Sequence, residues 1–198
     1  LNIIGRIVKI GLPSSVMGLQ SSLGNLVFTR LFATFGTVAV AAFSLVQRVG
    51  MLLRLPSNAF GTGASVLVGQ NLGARQPERA QKSGWLAVGL VESFMVVVSI
   101  AILLWATDIV TIFTTAPELM KITTVFLKIE VAALLAFGLG SILQRCLSVA
   151  GDTLPPMLVS LGDLWLVRLP LAFLLPRIKN LGVYGVNWAV VSGLTIAA

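Results

Sequence analysis

The chain alternates between six apolar segments and short joints rich in Gly, Pro and charge. The apolar segments fall near residues 13–35, 38–72, 83–106, 118–150, 155–175 and 183–198. A helix needs about 20 mostly apolar residues to cross a bilayer, and most of these windows meet that length. A short amphipathic entry with Arg6 and Lys9 leads into Gly11-Leu12-Pro13. Pro13 is expected in the first turn of the first helix, where a missing N–H costs nothing. Pro56 lies inside the second segment and is expected to kink it. The pattern predicts an all-α, polytopic membrane protein, a six-helix transmembrane bundle forming one unit over residues 1–198.

The joints carry the punctuation. Residues 73–82 are the most polar stretch; Gly73 suits a helix C-cap, and Pro77 with Glu78 suits the next helix's first turn. Residues 107–117 are mixed and are expected to include a short interfacial helix. At residues 151–156, Gly151 reads as a C-cap, Asp152 or Thr153 as an N-cap, and two prolines follow. With the first joint outside, the cytoplasmic side would hold six basic residues (Arg6, Lys9, Arg75, Arg79, Lys82, Arg145) against four outside (Arg30, Lys121, Arg177, Lys179). The positive-inside rule then places the N-terminus of this segment in the cytoplasm, with Arg145 as an anchor.

Polar positions recur along three spans at helical spacing. In the first they are Ser14, Gly18, Ser21, Ser22, Asn25 and Thr29; in the second Gln47, Arg54, Asn58, Gly61, Ser65 and Gly69; in the fourth Glu130, Gly138, Ser141, Gln144, Arg145 and Ser148. Small residues and hydroxyls serve helix packing, because they let backbones approach and bond across the contact. They serve equally to line an aqueous cavity. Charged members favour the cavity, since packing has no need of an Arg. Arg48, Arg54, Glu92, Asp163 and Arg168 sit within apolar segments, with Lys128 and Glu130 nearer an end. Such charges must pair or face water. Asp163 and Arg168 are five apart, so an α-helix would aim them to different sides, toward other helices.

Composition agrees with the membrane reading: 57% of residues are apolar, only 11% are charged, and mean hydropathy is +0.98. A soluble domain carries about a quarter charged residues. The net charge of +7 is scattered rather than gathered into a basic stripe with aromatics, which excludes nucleic acid as a partner. Cys146 stands alone and there is no His, so an internal disulfide and the usual zinc sites are excluded. No paired catalytic groups suggest an enzyme, and no cofactor is expected. The chain starts without Met and stops within an apolar run, so a fragment of a longer protein is expected.

The run Gly61-Thr62-Gly63-Ala64-Ser65-Val66-Leu67-Val68-Gly69-Gln70-Asn71-Leu72-Gly73-Ala74, followed by Glu78-Arg79-Ala80, closely resembles the multidrug and toxic compound extrusion (MATE) family. Gly11-Leu12-Pro13 looks like the start of one of its repeats. Leu147 and the Gly151-Asp152-Thr153-Leu154-Pro155 turn look like the joint between its fourth and fifth helices. Trp165-Leu166-Val167-Arg168-Leu169-Pro170-Leu171-Ala172 looks like the fifth helix of its second repeat. The combined pattern covers nearly the whole chain.

This resemblance, to the C-terminal lobe, implies two six-helix lobes around a central cavity, with alternating access between its two sides. It implies export of cationic or amphiphilic drugs and toxins, exchanged for sodium ions or protons across a cell membrane, by a multi-pass bacterial protein. The partners are then membrane lipids, a small-molecule substrate and a second homologous lobe, supplied by the missing N-terminal half or by a homodimer partner. Pathway candidates are Asn25, Gln47, Arg54, Asn58, Glu130, Asp163 and Arg168; the motif joints supply Gly69, Gln70, Gly73, Gly151 and Asp152. One departure stands out. Where sodium-coupled relatives of the NorM type place a Glu and an Asp, this chain aligns Ser21 and Phe137. That cation site is expected to be absent, with coupling in the other lobe, as in DinF-type relatives, or at Glu130 or Asp163. The alternatives are a lipid or lipid-linked oligosaccharide flippase, which would want a basic cavity, and a membrane scaffold, whose polar stripes need not converge.

Overall fold

The computed structural model describes the backbone of residues 2–178 and 181–196, and the side chains of residues 8, 11–178 and 181–193. Among these residues the chain is helical throughout: α1 (Asn2–Ala33), α2 (Thr37–Gly73), α3 (Pro77–Thr111), α4 (Pro117–Val149), α5 (Leu154–Gly162), α6 (Leu169–Leu174) and α7 (Gly182–Ile196). A π turn, Asp163–Arg168, joins α5 to α6, and a 3-10 turn, Leu175–Arg177, follows α6. The stretches Thr37–Gly73, Pro77–Thr111, Pro117–Val149 and Leu154–Arg177 are long and apolar enough to cross a membrane. Backbone groups have no water to bond in hydrocarbon, so helices that bond internally are the available solution for these runs.

Proline acts differently from the sequence expectation at the first span. Pro13 lies inside α1, not at its start, because the amphipathic entry joins the span as one helix. One lost backbone bond is a smaller penalty than breaking the helix and freeing several groups. Pro56 is likewise interior to α2, which continues to Gly73. Residues 107–111, expected within a joint carrying its own short helix, stay in α3; the non-helical residue of α3 is Trp105, just before them (φ −116°, ψ 22°).

The turns also differ in detail. Gly73 is the last helical residue of α2, but the left-handed residue is Arg75, at φ 58°. Pro77 holds the preceding Gln76 in an extended conformation (φ −115°, ψ 72°), so the reversal falls one residue earlier. Backbone bonds from Ala74 to Gln70 (2.9 Å) and from Gln76 to Asn71 (2.8 Å) close that turn. Gly151 takes the left-handed position at the end of α4, at φ 89°. Asp152 then donates its backbone N–H to Leu147 (3.0 Å), and Thr153 occupies the N-cap position of α5 without a side-chain cap bond.

Helices α2, α3 and α4 pack against one another as the centre of the bundle. Met95, Ile102, Leu127, Leu134 and Ile142 are fully buried between them. Helix α7 lies against α4, the π turn, α6 and the 3-10 turn, while α1 rests on α2 and α5. At one end an aromatic cluster ties α1, α2, α4 and α7 together. Phe32 stacks on Phe43 at 4.5 Å and meets Phe126 at 5.6 Å; Tyr184 meets Phe126 edge-on at 5.9 Å. Asn187 of α7 donates to the Phe126 carbonyl (3.3 Å), which gives its buried amide a partner. The outer surface stays apolar: Val97, Leu104 and Leu166 are 65%, 66% and 77% exposed, as a lipid-facing surface requires.

Candidate functional site

Halfway along α2 and α4 the bundle contains charge. Arg54 Nη2 lies 2.5 Å from Glu130 Oε1, and the Glu130 side chain is only 5% exposed. Gly50, one turn before Arg54, is buried beside this carboxylate. Phe137, two turns after Glu130 on α4, places its ring under the guanidinium of Arg54, 4.9 Å from centroid to Cζ. The sequence suggests a position for Glu130 toward a span end; in the structure it meets Arg54 deep within both helices.

The second pair corrects the sequence reading. Asp163 and Arg168 pair with each other: Arg168 Nη2 bonds Asp163 Oδ2 at 2.5 Å. The reason is the π turn that runs from one residue to the other. In an α-helix positions five apart lie about 140° from each other. The wider turn, with bonds between residues five apart, brings them to one face. Both pairs line one cavity, so the four side chains form one cluster, a network with two positive and two negative members.

A cavity of about 310 Å³ opens onto this network, and its lining includes Gln20, Asn25, Gln47, Arg54, Glu130 and Asp163. Gln47 donates to Asn25 Oδ1 (3.4 Å) across α1 and α2, and Gln20 donates to the Ser160 carbonyl of α5. A second cavity of about 340 Å³ lies toward the α4–α5 joint, with Gln144, Leu147, Pro155 and Pro156 in its wall. The two share Phe137, Ser160, Asp163 and Arg168, which therefore separate one space from the other. Within the network Arg54 Nε, Asp163 Oδ1 and Arg168 Nε are buried without a hydrogen-bond partner. Buried polar atoms ordinarily find partners, so these three stand out within the network.

Of the sequence-derived pathway candidates, Asn25, Gln47, Arg54, Glu130, Asp163 and Arg168 line the first cavity. Asn58 does not. It accepts from Arg145 Nη2 (2.9 Å), whose Nη1 lies 3.4 Å from Thr62 Oγ1, and this set bolts α4 to α2. Arg145 thus reaches across a helix contact rather than out to a membrane surface. The joint residues lie apart from the cavity: Gly69 packs beside Val149, Gln70 gives its carbonyl to the turn, Gly73 and Gly151 end their helices, and Asp152 is exposed. Glu92 faces Gly138 in the contact between α3 and α4, outside both cavities. Ser21 and Phe137 both line the first cavity, with Ser21 on α1 and Phe137 under Arg54. Gln20 and Ser160 were missed by the sequence reading; their alignment with the cavity depends on how α5 leans on α1, which no spacing reveals.

Known proteins are similar to the chain in both sequence and fold. A family model described as MatE matches residues 13–174. A probable multidrug resistance protein NorM of Thermotoga maritima is 28% identical, over 91% of this chain and 39% of its own length. A probable multidrug resistance protein YoeA of Bacillus subtilis is 26% identical, again over 91% of this chain and 39% of its own. Among solved structures, a mutant of the Vibrio cholerae MATE transporter VcmN superposes with a TM-score of 0.89 at 24% identity, covering 96% of this chain and 43% of the other. The chain thus spans about two fifths of the length of the relatives it matches.

Proposed function

Since the chain belongs to the MatE family, we propose that it is one lobe of a secondary transporter that exports cationic or amphiphilic compounds. Exchange for sodium ions or protons by alternating access, and a second homologous lobe completing the central cavity, belong to the same proposal. So does the assignment of this chain to the C-terminal lobe. It is a transporter lobe and not an enzyme.

The observation that carries this reading is the convergence of Arg54, Glu130, Asp163 and Arg168 on one mid-bundle cavity also lined by Asn25 and Gln47. Charged groups within a membrane bundle are expensive and mark substrate or ion pathways. A scaffold would gain nothing from gathering them around open space. The flippase alternative asks for a basic cavity, whereas both arginines here stand against carboxylates, so the network has no net charge. A cavity of this kind can admit a cation in exchange for an arginine. The test is drug efflux by the full transporter carrying Asp163→Asn. We expect loss of ion-driven efflux of tetraphenylphosphonium with normal membrane insertion; wild-type efflux would refute the pathway.

A further inference from the structure

The fifth span carries a π turn, and this irregularity coincides with the wall between the two cavities. We propose that the π turn Asp163–Arg168 is a register switch: in its π form Arg168 neutralises Asp163, and in its α form Arg168 moves to Glu130 and Asp163 is freed to take a cation. The proposal rests on the pathway reading above and specifies how access to its carboxylate is controlled.

Four observations point the same way. First, the ion pair needs the π register, because α geometry would set residues 163 and 168 about 140° apart. Second, Arg168 has a second carboxylate within the same cavity, since Glu130, the partner of Arg54, lines it too. After the exchange Arg54 and Arg168 share Glu130, while Asp163, whose Oδ1 has no partner now, becomes the open site. Third, the two sides of the turn are held unequally. Gly185 of α7 is packed so close to the Leu175 backbone that a Cβ would lie 2.8 Å from its carbonyl carbon, so the α6 side is fixed. On the other side α5 has no buried residue, and Gly162, just before the turn, has open space around it. Fourth, α7 sets the balance. Gly193 is buried against the pair, and a Cβ there would overlap Arg168 Cγ and Nε and Asp163 Oδ1. Gly193 is a positioning residue: only its missing side chain leaves room for the π form.

The motion has a definite size. A π ring holds one residue more than an α ring, and one α residue is a rotation of about 100°. With α6 fixed, α5 turns by roughly that angle and a side chain on its outer face moves on the order of 10 Å. The Gln20–Ser160 contact carries this rotation to α1. π turns within α-helices are frequent at functional sites, and this one is followed closely by Pro170.

The test is a pair of spin labels on the full transporter with Cys146→Ser: one at Leu158→Cys on α5 and one at Leu90→Cys on α3, both on exposed positions. Two distance populations are expected. Saturating tetraphenylphosphonium shifts weight to the form with α5 rotated, and Gly193→Ala does so without any ligand. Asp163→Asn, which removes the attraction without adding volume, gives the same shift if Gly193→Ala fails to fold. A single distance that neither ligand nor both variants move overturns the switch. If the variants shift the distance while tetraphenylphosphonium neither binds nor moves it, the switch stands and the pathway reading falls.

Discussion

Removing Glu130 from the Arg54–Glu130 pair leaves the Arg54 charge inside the bundle without its ion-pair partner. Glu130→Gln is expected to destabilise the lobe by about 3–5 kcal/mol, the usual cost of orphaning a buried charge. Replacing both residues by apolar ones of similar size should restore most of that loss, since neither charge then remains. Thermal unfolding of the full transporter in detergent checks both; a double variant no more stable than Glu130→Gln would mean that packing, not charge pairing, sets the cost. The charges themselves were legible in the sequence, because an Arg or Asp in an apolar run is conspicuous. Their partners were not. Arg54 meets Glu130 only through the approach of α2 to α4, and Asp163 meets Arg168 only because the turn between them is not α. Arg145 misled for a related reason: its nearness to a joint suggested a surface anchor, while its donors reach Asn58 and Thr62 on α2.

Helices are stabilised here by what they bury against each other, and not by what they show to lipid. Phe126 of α4 is wholly buried and touches both Phe32 and Tyr184, so it links three helices. Phe126→Ala is expected to cost about 3–5 kcal/mol through the cavity it leaves. Leu104 on α3 is exposed on the apolar exterior, and Leu104→Ala is expected to change stability within about 0.5 kcal/mol. Equal losses in the two variants, measured by thermal unfolding, would contradict the packing order described. Apolar runs and breakers made the helical rods readable from sequence. Their internal irregularities were hidden, because hydropathy is blind to which bond each backbone N–H chooses. Trp105 leaves helical geometry inside α3, Arg75 takes a left-handed turn in place of glycine, and Asp163–Arg168 widens into a π turn.

In the assembled transporter this chain supplies one wall of a cavity whose other wall belongs to the second lobe, on the reading proposed here. Orientation can be checked separately from mechanism. Gln76 sits in the exposed α2–α3 turn, and the basic Arg75, Arg79 and Lys82 around it predict a cytoplasmic position. A cysteine at Gln76 should react with an impermeant maleimide in inside-out vesicles and resist it in intact cells; the opposite pattern would invert the topology. The lobe's plan was visible in the sequence through family-like motifs and polar stripes. The meeting of α1, α2, α4 and the π turn at one cavity was not, since it depends on tilts and crossings that no single helix records. That cavity is tested most directly at Asn25, which lies in its lining on α1. With Cys146→Ser as background, maleimide labelling of Asn25→Cys in the full transporter is compared with and without tetraphenylphosphonium. The cation should slow labelling at Asn25→Cys at least several-fold and leave Gln76→Cys unaffected; equal labelling at Asn25→Cys in both conditions would contradict a substrate pathway through this site.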